Sequence, residues 1–217
     1  MKILTPFQTE FLTVFFQSIL GKDFFLTGGT ALSAFYLKHR LSQDLDLFTI
    51  NQNLEFNMVN AEILKIIASL SGNITKQVSS PTFLQFIFKV KNEELKIDIV
   101  KDTPAHFGTL KKIPNIQVDS LENIAVGKLL ALFGRADAKD FIDLYFILEI
   151  EKKFTFKKLY NLTKNKDSGL SEFYLAGMMK KVEDIEFFPR TIKPLNEKNL
   201  RNYFTNFSDK LFKQIKP

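Results

Sequence analysis

The chain has 217 residues, 45% of them hydrophobic, and carries 30 Lys and Arg against 24 Asp and Glu. That is enough apolar material for one large domain or two small ones. It has no cysteine and only two histidines, His39 and His106, which excludes a disulfide framework, a thiolate metal site, a catalytic thiol and a multi-histidine zinc centre. The net charge of +6 is uneven: residues 1–150 hold 15 basic and 16 acidic side chains, and residues 151–217 hold 15 and 8.

Thr5-Pro6 is an N-cap and first-turn pair, and the apolar run after it predicts a helix to about Leu20. Phe24–Leu26 reads as a short strand that ends at the Gly28-Gly29 turn. A helix is expected from Thr30 to about His39, and a strand over Leu45–Thr49. Helical spacing returns at Phe56, Val59, Ile63, Ile66, Ile67 and Leu70. Two strands, about Thr82–Val90 and Leu95–Val100, are joined by the polar tip Lys91–Glu94 and predict a hairpin.

From about Val118 the pattern is helical. Asp119-Ser120 supplies a cap, with Glu122 in a capping-box relation to Asp119, and the helix runs to about Phe133. Lys128 falls inside its apolar stripe, where an ammonium either snorkels or needs a partner. After a break at Gly134–Asp137, KDFIDLYFILEI is apolar almost all round and reads as a buried helix. Asp140 and Asp143 stand out on one face of it. Amphipathic helices are expected near Phe156–Leu162, Ser171–Met179 and Asn199–Phe212.

The chemistry concentrates in residues 28–48, GGTALSAFYLKHRLSQDLDLF. A glycine turn feeding a helix start offers unpaired N–H groups and a favourable dipole to a phosphate. Asp44 and Asp46 share a strand face, roughly 6–7 Å apart, because side chains alternate. Adjacent carboxylates repel, a divalent cation relieves that repulsion, and Mg²⁺ held by one or two carboxylates completes its shell with substrate phosphates. In LKIDIV, Asp98 lies on the face opposite Leu95, Ile97 and Ile99. If that strand lies beside Leu45–Thr49, Asp98 adds a third carboxylate; otherwise it is an edge residue facing water. The Lys-rich last third reads from charge alone as a solvated helical surface, and is also where a polyanion such as RNA would make contact.

Taken together in this order, GGTAL, HRLSQDLDLF, LKIDIV, NIAVGKLLALFGR and AKDFIDLYF resemble the AbiEii/AbiGii toxin-type nucleotidyltransferases, the type IV toxin group that includes the MenT toxins, within the polymerase-β-like nucleotidyltransferase superfamily. The resemblance covers about residues 24–150. It implies an α+β polymerase-β-like fold, a small mixed sheet flanked by helices followed by a helical C-terminal region. The expected division is a nucleotidyltransferase core over 1–118, then a helical region over 119–217 that completes the active site to about residue 150 and ends in a basic helical part. The implied activity is Mg²⁺-dependent transfer, with Mn²⁺ as the alternative ion, of a nucleoside monophosphate from a nucleoside triphosphate to an acceptor hydroxyl. The implied acceptor is the tRNA 3′ end, in a toxin–antitoxin or phage-defence system with a cognate antitoxin.

By the same resemblance Gly28, Gly29 and Thr30 hold the triphosphate and Ser42 adds a hydroxyl. Asp44, Asp46 and Asp98 bind two metal ions. Arg40 and Lys128 neutralise phosphate charge, and Asp140 and Asp143 form a late acidic motif. That motif usually begins Arg-Asp; here it is Lys139-Asp140, which keeps the charge but loses the planar fork, and Arg135 is a possible substitute. The alternatives are a nucleotidyltransferase acting on a small-molecule or protein hydroxyl, and a non-catalytic nucleotide-binding module. With no signal-peptide pattern and no membrane-length apolar run, a cytoplasmic protein without membrane contact is expected.

Overall fold

The computed structural model describes residues 3–214, which fall in two compact units, Met1–Leu121 and Glu122–Pro217. The first is α+β. Helix α1 (Pro6–Gln17) starts at a capping box in which Thr5 and Gln8 each bond the other's backbone N–H. Strand β1 (Phe25–Thr27) runs directly into helix α2 (Gly28–Leu32), which continues as a π-turn over Ser33–Leu37 and stops at Lys38 in the left-handed region. The helix therefore begins at Gly28, two residues earlier than the sequence suggested, and the glycines form its first turn.

Strand β2 (Leu45–Thr49) and helix α3 (Phe56–Ser69) fall where the periodicity placed them. Strands β3 (Asn73–Ser79), β4 (Phe83–Val90), β5 (Glu93–Lys101), β6 (Lys111–Ile113) and β7 (Ile116–Val118) complete one seven-stranded mixed sheet, ordered β3-β4-β5-β2-β1-β7-β6. β4 and β5 form the expected hairpin. β3, β6 and β7 carried no clear sequence signal: β3 is an almost wholly exposed edge strand, and the other two have three residues each.

Alternation gives the sheet one apolar face. Leu45, Leu47, Leu84, Phe86, Phe88, Ile97 and Ile99 have no accessible surface, and α1 and α3 pack against the sheet. Phe7 and Phe11 of α1 set their rings 5.5 Å and 5.8 Å from Phe88. Each such side chain contributes about 1.5–3 kcal/mol by leaving water. The alternate residues of β2 and β5 therefore project from the opposite face, and Asp46 and Asp98 are among them.

The second unit is helical. α4 (Leu121–Arg135) begins at the boundary; α5 (Ala138–Tyr145) extends as a π-turn over Phe146–Ile150. α6 (Phe156–Lys166), α7 (Glu172–Lys180) and α8 (Glu197–Gln214) follow. Every residue from Asp140 to Leu148 is buried, so α5 is the central helix that its apolar composition indicated. Phe141 packs edge-on against Phe204 of α8, centroids 5.0 Å apart. The Glu122 carboxylate accepts from Lys158 at 2.7 Å, so an ion pair to α6 occupies the group expected in a capping box. Among the described residues no helix is long and apolar enough to cross a membrane.

Candidate active site

Gly28 has φ +68°, and a Cβ there would lie 1.9 Å from Asp46 Oδ2. A Cβ on Gly29 would lie 2.6 Å from Arg40 Nη2 and 3.0 Å from Ser42 Oγ. The two glycines are thus needed where they stand: any side chain would push away the three polar groups gathered around the start of α2. Thr30 is buried and its hydroxyl donates to the Asp44 carbonyl at 2.5 Å. Its side chain fixes the strand entry, so what Thr30 offers a ligand is backbone. From the other side the Gln8 amide donates to the Ser42 and Gln43 carbonyls at 3.0 Å and 2.9 Å. Arg40 is 4% exposed and donates to the Leu41 carbonyl at 3.0 Å. The segment that carries Arg40, Ser42 and Asp44 is held at both flanks.

β2 and β5 run parallel, with Asp46 opposite Asp98. The adjacency expected for the third carboxylate is therefore present, and Asp44 and Lys96 lie one alternation earlier on the same face. Lys96 Nζ sits 3.2 Å from Asp44 Oδ2 and 3.1 Å from Asp98 Oδ2. The other Asp98 oxygen accepts from the Gln85 amide of β4 at 2.9 Å. Burial alone would lower the Lys96 pKa, but hydrogen bonding and charge attraction from Asp98, then Asp44, outweigh it and raise it. Among the described residues no three His, Cys, Asp or Glu side chains close into a metal shell. The donors nonetheless suit a hard cation: they are carboxylate oxygens, and the position between Asp44 and Asp98 already takes a positive group.

In the second unit Lys128 on α4 is 6% exposed and meets two fully buried carboxylates on α5, Asp140 at 3.1 Å and Asp143 at 2.7 Å. The lysine in the apolar stripe thus has partners, and the two aspartates orient it. Arg135 closes a planar fork on Asp140, Nε to Oδ2 at 2.8 Å and Nη2 to Oδ1 at 3.2 Å. Lys139 instead lies 3.9 Å from Asp137. The guanidinium missing before Asp140 in sequence is supplied by Arg135 in space.

Sequence reasoning passed over several residues of this site. Lys96 was visible on the acidic face of LKIDIV, and its spacing from Asp98 was the signal for the ion pair. Gln8 and Gln85 are ordinary amides with no sequence signal. Asp119, read as a helix cap, is fully buried: it bonds His106 Nε2 at 2.8 Å, the Thr27 hydroxyl at 2.6 Å and the Ser120 N–H at 2.8 Å. It thereby ties the end of β7 to β1, one residue before the glycine turn.

Several solved structures share this fold. A presumed nucleotidyltransferase from H. pylori superposes with TM-score 0.60 at 18% identity, covering 95% of this chain and 92% of its own. JHP933 from Helicobacter pylori gives 0.55 at 18% identity, with 95% and 89% covered. MenT4, the nucleotidyltransferase toxin Rv2826c of Mycobacterium tuberculosis H37Rv, gives 0.54 at 14% identity, with 93% and 82% covered. An uncharacterised protein of Aquifex aeolicus strain VF5, aq_aa25, is 26% identical over 222 residues, covering 95% of this chain and all of that one. The sequence model of the AbiEii nucleotidyl transferase toxins of type IV toxin–antitoxin systems matches residues 10–217. With a glycine turn and acidic sheet face suited to phosphate chemistry, and that match over nearly its whole length, the chain belongs to the AbiEii family and is a toxin-type nucleotidyltransferase.

Proposed function

We propose that this enzyme moves a nucleoside monophosphate from a nucleoside triphosphate to the 3′ hydroxyl of tRNA. The observation that carries the reading is the alignment of Asp46 with Asp98 across parallel strands, beside a glycine turn into which Asp46, Arg40 and Ser42 converge. The N–H groups of Gly28, Gly29 and Thr30 bind the triphosphate, and the Ser42 hydroxyl adds a contact. Arg40 neutralises phosphate charge without having to be reoriented, because it is buried and already bonded to backbone. In the second unit Lys128, held by Asp140 and Asp143, offers a cation to phosphate charge.

Mg²⁺ held by Asp44, Asp46 and Asp98 would supply charge stabilisation at the triphosphate and lower the cost of deprotonating the acceptor hydroxyl. The acceptor oxygen forms the new bond to the α-phosphorus as the bond to pyrophosphate breaks, so positioning and electrostatics account for most of the rate. The excess of basic residues after position 150 supports an RNA acceptor. A cognate antitoxin is the partner that goes with this toxin class.

The test is transfer of α-³²P label from each of the four nucleoside triphosphates to purified total tRNA with Mg²⁺, wild type beside Asp46→Ala. Label on tRNA that falls on the order of 10²–10³-fold in the variant is the expected result. It should also decline steeply with salt, because RNA contacts release counterions. Absence of label with all four triphosphates would overturn the tRNA assignment and leave a small-molecule or protein hydroxyl as acceptor.

A further inference from the structure

The acidic face of β2 and β5 has four corners: Asp46 opposite Asp98, Lys96 two residues before Asp98 on β5, and Asp44, just ahead of β2, in contact with Lys96. Three are negative and one is positive. Lys96 reaches along its own strand to Asp98 and across to Asp44, at 3.1 Å and 3.2 Å. It contacts Oδ2 of each, and the Gln85 amide takes Oδ1 of Asp98. Two of the three carboxylates proposed to bind metal thus already share a cation that belongs to the chain.

The burial of these groups makes the pairing reversible. The side chains of Lys96, Asp44 and Asp98 keep 32%, 39% and 16% of their surface exposed, and ion pairs this wet are weak enough to be exchanged. A divalent ion that uses the Oδ2 atoms must displace the ammonium or share the face with it, against direct repulsion.

We infer that Lys96 is a tethered counter-cation that competes with the divalent ion for Asp44 and Asp98 and holds the affinity of the nucleotide-free site for metal low. The inference rests on the metal role proposed above for Asp44, Asp46 and Asp98. Lys96 is a positioning residue here: it acts on the carboxylates and not on substrate.

The experiment is Mn²⁺ binding to the full chain without nucleotide, with free Mn²⁺ read by electron paramagnetic resonance. Wild type is compared with Lys96→Met, Lys96→Gln, Lys96→Arg and Asp46→Asn, each checked for folding by circular dichroism. Met and Gln remove the charge while differing in shape, so one misfolded variant does not end the comparison. The expected result is at least about tenfold tighter Mn²⁺ binding in Lys96→Met and Lys96→Gln. That factor is the size of the repulsion between an ammonium and a divalent ion some 5 Å away in water-like surroundings. Lys96→Arg, which keeps the charge, should bind as wild type does. Tight binding by a neutral variant where wild type shows none supports the inference equally. Wild-type binding that Asp46→Asn weakens and the neutral variants leave unchanged would overturn the role of Lys96 while sparing the metal site. No binding by wild type or either neutral variant would overturn both.

Discussion

Lys128→Met tests the idea that the buried cluster of the second unit contributes to its stability. Lys128 is the cation at 3.1 Å from Asp140 and 2.7 Å from Asp143, and neither carboxylate has accessible surface. After its removal Asp140 keeps the Arg135 fork, whereas Asp143 loses the ammonium at 2.7 Å. A buried carboxylate deprived of its cation takes up a proton. For a group of ordinary pKa about 3.9 that costs up to about 4 kcal/mol at pH 7 and about 1.5 kcal/mol at pH 5, against about 3–5 kcal/mol for breaking a buried pair.

The expected destabilisation is therefore about 3–4 kcal/mol at pH 7, shrinking by more than half at pH 5. Lys128→Met/Asp143→Asn should recover at least half of it. Urea unfolding followed by tyrosine fluorescence suits the question, because the chain lacks tryptophan and Tyr145, Tyr160, Tyr174 and Tyr203 all lie after residue 121. A Lys128→Met chain within about 1 kcal/mol of wild type, or equally destabilised at both pH values, would refute the argument that the ammonium compensates buried charge.

Gly28→Ala strains a residue at φ +68° by about 1–2 kcal/mol and drives a methyl into Asp46 Oδ2. The melting temperature should fall by only a few degrees, while kcat drops on the order of 100-fold because the carboxylate is displaced; wild-type kcat would contradict this. Tyr203 has its phenol pushed up to about 12 by burial and, less, by Glu149 and Tyr145. Its contribution to stability is whole below pH 10 and is lost as pH rises from 10 through 12. Urea midpoints across that range should show wild type losing about 2 kcal/mol more than Tyr203→Phe; parallel losses would count against it.

What could be read from sequence was whatever alternation or spacing encodes. Leu45, Leu47, Ile97 and Ile99 announced two strands with apolar inner faces, and so put Asp44, Asp46 and Asp98 on outer faces. The neighbourhood of β2 and β5 is a matter of sheet order, which no local pattern specifies. It entered as a condition and is met by the parallel pairing of Asp46 with Asp98. β3 escaped notice because an exposed edge strand has no buried face to generate alternation. Lys128 announced itself as a charge in an apolar stripe, and its partners were found among the aspartates already singled out. Arg135 is different: its fork to Asp140 spans five residues across the bend at Ala136, whose φ of +50° is a backbone event that the residue type conceals.

The parallel register of β2 and β5 carries a further consequence, for how the acidic face tolerates error. Side chains alternate with period two, so sliding either strand by one residue turns its whole set over. A slipped β2 would bury Asp44 and Asp46 beneath α1 and α3 and expose Leu45 and Leu47. No partly misaligned fold is then cheap enough to persist. The leucines and isoleucines that no substrate touches proofread the spacing of the carboxylates, and a single-residue insertion within either strand should abolish folding and activity together.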